Sequence, residues 1–395
     1  MTFSNEQLVT SLITASTRGG SERKIGAVNV PIYLSSTFHQ ESFDKFGPYD
    51  YSRSRNPTRD ALERTIAELE GGTRGLAFAS GIAAISSAFM LLSSGDHIVI
   101  TEDVYGGTFR FVTEVLPRLG IKHTFADFTD VKAVTKAIRS NTKLIYMETP
   151  SNPCLGITDI ASIVALANAN DCFTFLDNTF MTPLYQRPLD IGVDVVLHSA
   201  TKFLSGHSDI IAGLAVTKDD ELGKRLAFIQ NSFGAILGAQ DSFSLIQGIK
   251  TLGVRFEKSA DSAQKIASYL KNHSLVEEVF YPGLTTHTGY EIHMKQAKSP
   301  GAVLSFRLPN RVIAKAFVEN VQIPVFAVSL GGVESILSHP AQMSHATMPI
   351  EEREKRGITD GLLRFSVGLE NVNDLIADFD QALTIAEKQT FLNQQ

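Results

Sequence analysis

The chain has 395 residues, of which 42 are acidic and 36 basic, so its formal net charge at neutral pH is −6. Hydrophobic residues make up 43% and charged residues 20% of the chain, which is typical of a water-soluble protein of two or three domains. Such an acidic chain offers no basic face for nucleic acid or for an anionic membrane.

The cysteine content and the apolar runs indicate the compartment. Cys154 and Cys172 are too few for a disulfide framework, which favours a reducing interior. No basic start followed by an apolar stretch marks a secretory signal, and no apolar run approaches the roughly 18 residues that span a bilayer. We therefore expect a cytoplasmic protein with no membrane segment. No metal site is expected, because Cys-x-x-Cys and His-Glu-x-x-His are both absent.

Predicted elements divide the chain into three parts. Residues 1–58 show weak periodicity and many turn formers, so they predict an extended N-terminal arm. In residues 59–255, strands alternate with helices, which predicts an α/β domain with a mainly parallel sheet. The predicted strands are 76–79, 97–101, 121–125, 144–148, 173–176, 193–197 and 211–216. The predicted helices between them are 59–70, 81–92, 109–119, 131–138 and 163–169. Residues 256–395 predict a smaller C-terminal α/β domain with helices 260–270 and 374–388 and strands 303–306, 325–328 and 362–367.

Polar residues stand where several of these strands end, which is where ligands bind in open parallel sheets. Ser80-Gly81 closes one strand and opens a helix, whose N-terminal N–H groups attract anions such as phosphate. An ordinary tight turn explains the same dipeptide equally well. Asp177 ends another strand, where a carboxylate can hold a protonated pyridine nitrogen, although a helix N-cap is the commoner role of a single aspartate.

The strongest signal is Lys202, which follows a very apolar strand and is preceded by two hydroxyls, Ser199 and Thr201. Hydroxyls suit phosphate oxygens, and an apolar setting lowers the pKa of an amine that is to react with an aldehyde. Ser199-x-x-Lys202 also matches the nucleophile motif of penicillin-recognising enzymes. That alternative is rejected, because Ser208-Asp209-Ile210 and Lys250-Thr251-Leu252 do not complete its companion motifs.

A series of short motifs, in order along almost the whole chain, resembles the family of cystathionine β-lyases, γ-lyases and γ-synthases. The motifs are Tyr51-Ser52-Arg53, Asn56-Pro57-Thr58, Ser80-Gly81, Val104-Tyr105-Gly106-Gly107, Glu148-Thr149-Pro150, Asn152-Pro153, Asp177-Asn178-Thr179-Phe180, Ser199-Ala200-Thr201-Lys202, Gly206-His207-Ser208-Asp209, Ser329-Leu330-Gly331-Gly332 and Arg364-Phe365-Ser366-Val367-Gly368. The resemblance implies an aspartate-aminotransferase fold (fold type I) with a seven-stranded sheet, pyridoxal 5'-phosphate (PLP) as cofactor, and a homotetramer built as a dimer of dimers.

The resemblance also implies roles for single residues. Lys202 resembles the lysine that forms the Schiff base with PLP, Asp177 the partner of its pyridine nitrogen, and Tyr105 the ring stacked on it. The phosphate cup is implied for Ser80, Gly81, Ile82, Ser199 and Thr201.

Substrate contacts and a shared site are implied as well. Arg364 resembles the clamp on the substrate carboxylate, assisted by Asn152 and the backbone of Ser329. Tyr51 and Arg53 belong to a segment that reaches across the dimer to the neighbour's phosphate. Arg55 departs from the glycine often found there; glycine permits a positive φ without strain, so we expect a slightly different path of the arm.

The implied reaction is the cleavage of a carbon–sulfur bond in cystathionine, giving homocysteine, pyruvate and ammonia in methionine biosynthesis. Lys202 would remove the Cα proton, and Tyr105 or the neighbour's Tyr51 would give acid–base help. Val328 stands where members with γ chemistry often have an acid that pairs with the distal ammonium. Gly107 stands where methionine γ-lyases typically have cysteine. Segments 73–84 and 326–338 look most like the β-lyases of Bacillus-type bacteria, so β-lyase is preferred over γ-lyase or γ-synthase, with a non-catalytic phosphate-ligand-binding protein as the remote alternative.

Overall fold

The computed structural model describes residues 5–17, 26–346 and 348–392 of the chain. Within these ranges the larger sheet has seven strands, in the order β1-β7-β6-β5-β4-β2-β3. They are β1 (Arg74–Phe78), β2 (His97–Thr101), β3 (Lys122–Ala126), β4 (Thr142–Glu148), β5 (Phe173–Asp177), β6 (Val195–Ser199) and β7 (Gly213–Thr217). Strands β2 to β6 pair in parallel, whereas β7 is antiparallel to both β1 and β6. The predicted α/β fold with a mainly parallel seven-stranded sheet is confirmed.

Helices cover this sheet, and their ends carry local sequence signals. They are α1 (Asn5–Thr14), α2 (Pro57–Glu70), α3 (Gly81–Phe89), α4 (Gly106–Arg110), α5 (Val131–Ala137), α6 (Ile160–Ala169), α7 (Thr182–Tyr185), α8 (Pro188–Ile191) and α9 (Asp220–Phe233). Asn56 caps α2 by accepting from the N–H groups of Thr58 and Arg59, and Gly71 ends it at φ 73°. The helix predicted over 109–119 instead breaks into α4, a π turn and a 3-10 turn, because Pro117 has no N–H to continue an α-helix.

The two faces of the sheet build two apolar cores. Along β5, Phe175 and Leu176 point to opposite faces, as neighbours in a strand must. Leu176 packs in the same core as Leu62 of α2, and Phe175 in the same core as Phe89 of α3. All four side chains are fully buried, and each such burial contributes ~1.5–3 kcal/mol. The sheet is therefore covered on both sides, and its ligand-binding edge is the one where the parallel strands end.

The N-terminal segment is not extended throughout. Leu8 and Leu12, four residues apart on α1, are buried in the core that contains Leu62. The sequence pattern was too short to reveal this helix. Residues 1–4 and 18–25 of the predicted arm lie outside the described residues.

A second sheet, in the C-terminal part, has the order β10-β11-β12-β9-β8. Its strands are β8 (Glu278–Phe280), β9 (Val303–Arg307), β10 (Val325–Phe326), β11 (Ile336–Ser338) and β12 (Leu362–Ser366), and its helices are α10 (Ala239–Lys271), α11 (Tyr290–Gln296), α12 (Arg311–Asn320), α13 (Ile350–Lys355) and α14 (Val372–Leu392). β8 and β11 were not predicted, since three residues are too few for a periodic pattern. The strand predicted over 325–328 stops at Phe326. Of the helices in the described ranges, none combines the length and apolar character that crossing a bilayer needs.

The predicted boundary at residue 255 lies inside one helix, α10, which is 33 residues long. The N-terminal half of α10 contributes Leu245 and Phe256 to the core under the large sheet. Its C-terminal half contributes Ala263 and Leu270 to the core of the small sheet. The change of core thus occurs between residues 256 and 263, and the division into parts at 58 and 255 stays a prediction.

Candidate active site

A cavity of about 510 Å³ opens at the carboxyl edge of the large sheet, next to the small sheet. Most of the residues singled out in the sequence line it. These are Ser80, Gly81, Ile82, Tyr105, Asn152, Asp177, Ser199, Thr201, Lys202, Val328, Ser329 and Arg364. The volume is that of a small-molecule site. Residues far apart in sequence meet here because β4, β5 and β6 are parallel and end at the same edge.

The first part of the cavity is an anion cradle at the start of α3. Ser80 caps this helix by accepting from Ala83 N at 3.1 Å, which leaves the Ser80 hydroxyl proton free to point elsewhere. A Cβ on Gly81 would lie only 2.8 Å from the Cβ of Ser199, so glycine is what lets the helix start approach β6. The N–H groups and the dipole of this helix end favour a negative group.

The Thr201 hydroxyl is already engaged. It donates to Ala212 O at 3.2 Å and accepts from Ala212 N at 3.0 Å. Phosphate oxygens only accept hydrogen bonds, so Thr201 has to release Ala212 O before it can donate to one. Ser80 is therefore better placed than Thr201 as a hydroxyl donor in the cradle.

Two buried carboxylates end neighbouring strands in the cavity. Asp177 ends β5 and accepts from the N–H of Thr179 at 3.0 Å; it does not cap a helix, since the N-cap of α7 is Met181. Burial raises the pKa of Asp177. Glu148 ends β4 opposite Asp177 and accepts from Tyr105 N at 3.0 Å, and burial together with Asp177 raises its pKa well above the usual range. Glu148 was missed as a site residue, although an acid at a strand end was the same signal that marked Asp177.

Lys202 lies just past β6, and its Nζ donates to the Ser329 hydroxyl at 2.7 Å. Burial, and secondly the positive charge of Arg364, lower the pKa of Lys202 to about 8. An amine with this pKa loses its proton easily near neutral pH. The burial and the lowered pKa agree with the apolar setting that the sequence indicates for Lys202, and its role as the reactive amine stays a prediction.

Arg364 of β12 is 4% exposed and is held by two hydrogen bonds. Its Nη1 donates to Asn152 Oδ1 at 2.8 Å and its Nη2 to the Ser329 carbonyl at 2.6 Å. Burial lowers the pKa of Arg364 to about 10, so it remains charged at neutral pH. Its buried Nε has no hydrogen-bond partner among the described residues. A guanidinium with free donors facing a cavity fits a planar carboxylate.

Ser329 joins these two cations. Its hydroxyl accepts from Lys202 and its carbonyl accepts from Arg364, and its φ is +86°, a value that serine rarely adopts. Sequence reasoning expected only the backbone contact. Strained backbone of this kind gathers at functional sites, where surrounding contacts hold it in place.

Aromatic and apolar side chains form the outer part of the cavity. Tyr105 and Val328 both line it and are 44% and 63% exposed. Met343 and Ser344, which precede α13, also line it and were not predicted. No local motif marks them, because they reach the cavity only through the packing of the small sheet.

Tyr51 and Arg53 are the two predicted site residues that do not line this cavity. Arg53 Nε donates to Asn231 Oδ1 of α9 at 3.2 Å, and its guanidinium carbon lies 5.5 Å from the centre of the Tyr51 ring. Tyr51 is 46% exposed. Within one chain, therefore, the structure does not bring these residues to Lys202.

Comparison with known proteins decides the family. The model of the family described as "Cys/Met metabolism PLP-dependent enzyme" matches residues 10–384. The chain belongs to this family.

Members with more specific names are similar over nearly the whole chain. The Bacillus subtilis protein named cystathionine beta-lyase MetC is 66% identical over 91% of this chain and 92% of its own length. The cystathionine gamma-lyase of the same organism is 51% identical over 92% of this chain and 96% of its own length. The crystal structure of cystathionine gamma-lyase from Lactobacillus plantarum complexed with L-serine superposes with a TM-score of 0.93 at 45% identity, covering 96% of this chain and 99% of the other.

The cavity fits PLP, the cofactor of the family. The start of α3 suits its phosphate, because backbone N–H groups and the Ser80 hydroxyl lie there. Gly81 has no Cβ that would obstruct this position. Asp177 suits a protonated ring nitrogen. Burial raises the pKa of Asp177 because it disfavours the negative charge, and a neighbouring cation would offset that cost. Lys202 suits the aldehyde for the reason given above. The enzyme is therefore a PLP-dependent member of cysteine and methionine metabolism with a donor set that matches its cofactor.

Proposed function

We propose that the enzyme is a cystathionine β-lyase, which cleaves the Cβ–S bond of cystathionine to give homocysteine, pyruvate and ammonia. The observation that carries the proposal is that Lys202 and Arg364 both donate hydrogen bonds to Ser329. One residue holds both a base and a carboxylate clamp, so both can act on the same α-amino acid. The 66% identity with the Bacillus subtilis β-lyase supports β rather than γ chemistry.

Arg364 binds and orients the substrate in this proposal. A guanidinium has five donors, and two are used on Asn152 and Ser329, which leaves three for the α-carboxylate. Because both partners of Arg364 are themselves buried or backbone groups, the clamp is rigid before substrate arrives. Such preorganisation lowers the entropy cost of aligning the Cα–H bond.

Lys202 moves the proton. Its Nζ takes the proton from Cα, and the electron pair that leaves with the Cβ–S bond stays on sulfur as thiolate, which is protonated to homocysteine. When bound, PLP supplies the electron sink that stabilises negative charge at Cα. Water then hydrolyses the three-carbon remainder to pyruvate and ammonia, so atoms and charges balance.

Asp177 and Tyr105 assist by holding the reacting groups. The Asp177 carboxylate would hold a proton on the ring nitrogen of the bound cofactor, which would strengthen the electron sink. Tyr105 would cover the ring of the bound cofactor, and its backbone N–H is held in place by Glu148. The proposal assigns the phosphate to Ser80, Gly81, Ile82, Ser199 and Thr201.

The proposal includes a shared active site. Tyr51 and Arg53 are exposed near α9 and away from their own cavity, so we assign them to the phosphate of a neighbouring subunit. The assembly is then a dimer, paired further into a tetramer. Its location is cytoplasmic, in keeping with the free thiols of Cys154 and Cys172.

Val328 supports the choice of β-lyase over γ-lyase. It lines the cavity with a 63% exposed apolar side chain, so this position offers no charge to the distal ammonium of cystathionine. The enzyme then holds cystathionine through the half that Arg364 binds, which is the three-carbon half that becomes pyruvate.

Product analysis tests the proposal. Purified enzyme is incubated with PLP and cystathionine, and the keto acids are separated by chromatography. Pyruvate with homocysteine is expected; 2-oxobutyrate with cysteine would instead make the enzyme a γ-lyase. Lys202→Ala should abolish turnover, and Lys265→Ala on α10 is the control that should not.

A second test concerns the lysine itself. Borohydride reduction of the holoenzyme followed by peptide mapping should place the cofactor label on Lys202. A label on another lysine would contradict the assignment of every role that depends on this amine.

A further inference from the structure

A buried arginine outside the cavity holds the arm segment that the proposed function sends to a neighbouring subunit. Arg59, in the first turn of α2, is 1% exposed. Its Nη1 donates to the carbonyl of Ser52 at 2.7 Å, and its Nη2 donates to the carbonyl of Arg53 at 3.1 Å. Residues 51–55 are called the arm turn below. Within it, the carbonyl of Tyr51 accepts from the N–H groups of residues 54 and 55, each at 3.0 Å.

The two carbonyls that Arg59 binds belong to the two peptide planes on either side of the Arg53 Cα. Because each plane is rigid, pinning both fixes the backbone dihedrals of Arg53 and hence the direction in which its Cα–Cβ bond leaves the backbone. The side chain of Arg53 itself is exposed to solvent in the single subunit. Arg59 thus sets the point and direction from which the Arg53 side chain starts, without contacting the Arg53 guanidinium.

Arg59 also ties the arm turn to the large sheet. Its Nε lies 3.5 Å from Glu63 Oε1, and the same oxygen accepts from Ala77 N of β1 at 2.9 Å. β1 leads directly into the Ser80-Gly81 cradle. A continuous series of contacts therefore runs from the arm turn, through two charged side chains, to the strand that positions the cradle of the same subunit.

Other polar residues at the start of α2 bind the arm as well. Asn56 Nδ2 donates to Tyr33 O at 2.8 Å, and Asp60 Oδ2 accepts from the Tyr49 hydroxyl at 3.1 Å and from Arg55. Asn56 and Asp60 are 3% and 5% exposed. Burying a guanidinium and a carboxylate costs several kcal/mol per ion unless each is fully bonded, and an apolar helix face would pack here without that penalty. The start of α2 is therefore specialised for holding the arm.

We propose that Arg59 is a positioning residue for the active site of the neighbouring subunit, which it serves by aiming Arg53 at that subunit's cofactor phosphate. The inference rests on the shared site of the proposed function. It assigns Arg59 an effect in trans, whereas a buried arginine with a purely structural role acts on the subunit that carries it.

Mixing of variant subunits distinguishes an effect on the neighbouring subunit from a structural effect on the subunit that carries Arg59. Arg59→Met and Lys202→Ala chains with different affinity tags are coexpressed, and assemblies that contain both are purified. Each variant alone should be nearly inactive. In the mixed dimer, one site combines an intact Lys202 with an intact arm turn from the other chain. We expect that site to work, so that the mixed dimer regains about half of the wild-type activity.

Two controls accompany this pair. Arg53→Met mixed with Lys202→Ala tests the shared site by itself and should also recover. Arg255→Met replaces a matched buried arginine whose Nη2 and Nε donate within its own subunit, to Gly248 O and to the Thr251 hydroxyl, so any activity it loses should not return on mixing.

Arg59→Lys is the second variant in case Arg59→Met does not fold. It keeps the charge but not the pair of hydrogen bonds to the carbonyls of Ser52 and Arg53, and it should raise the dissociation constant of PLP about tenfold.

The outcomes separate the hypotheses. If the Arg53 mixture recovers and both Arg59 mixtures do not, Arg59 acts within its own subunit and the inference is wrong. If the Arg53 mixture also stays inactive, the shared site and this inference fail together, while the product assay on wild-type enzyme still decides the reaction.

Discussion

Arg364→Lys tests the carboxylate clamp most directly. The guanidinium keeps three donors for substrate after bonding Asn152 and Ser329, whereas an ammonium has three donors in all and keeps one. The substrate carboxylate then loses one of its two charge-assisted hydrogen bonds. At ~1.5–3 kcal/mol for such a bond, kcat/KM for cystathionine should fall about 10- to 150-fold.

The assay is pyruvate release coupled to lactate dehydrogenase, with the absorbance of bound PLP recorded on the same sample. That absorbance should not change, because Arg364 is assigned to substrate and not to cofactor. Arg311→Lys, an exposed position at the start of α12, is the matched control and should retain wild-type kinetics. If Arg364→Lys stays within about threefold of wild-type kcat/KM, the clamp does not bind the substrate carboxylate.

Four further predictions follow from single contacts. Asp177→Asn should lower kcat about 100-fold with little change in KM, measured by steady-state kinetics, because the amide cannot hold a proton on the ring nitrogen. Since burial lowers the pKa of Lys202 to about 8, its amine is protonated below that pH and free above it. The rate at which apoenzyme takes up PLP, followed by absorbance, should therefore rise with pH and level off above about 8; a flat profile would contradict this. Arg55→Gly removes the half-exposed ion pair with Asp60 and frees the backbone, so urea unfolding should show a loss of about 1–2 kcal/mol. Phe379→Ala, in the small core against Phe365, should lower the free energy of unfolding by about 3–5 kcal/mol, against less than about 0.5 kcal/mol for exposed Val312→Ala.

The sequence predicts the part of the site that one sheet builds. Ser80, Asp177 and Lys202 all follow strands, and parallel strands end at a common edge, so their proximity is a consequence of the fold class. The same rule would have found Glu148. Arg364 and Asn152 could be assigned only through the resemblance, because Arg364 lies within a strand and no local pattern distinguishes it from an arginine in a structural ion pair.

Contacts between the two sheets could not be predicted. The hydrogen bond from Lys202 to Ser329 joins residues 127 positions apart, and it depends on the positive φ of Ser329.

The unusual Arg55 illustrates a local case. Its φ is not positive in the structure, and its guanidinium instead binds Asp60 and stacks 5.2 Å from the Tyr49 ring. The sequence showed only that Arg55 stands where the family often has glycine, and it suggested neither Asp60 nor Tyr49 as a partner.

The 33 residues of α10 correspond to a rod about 50 Å long whose hydrogen bonds continue past residue 255. A swing of the C-terminal sheet at that residue would break the helix in its middle, where Leu252 and Phe256 are fully packed. The continuous helix therefore opposes a hinge at residue 255 between the part of the chain that carries Lys202 and the part that carries Arg364.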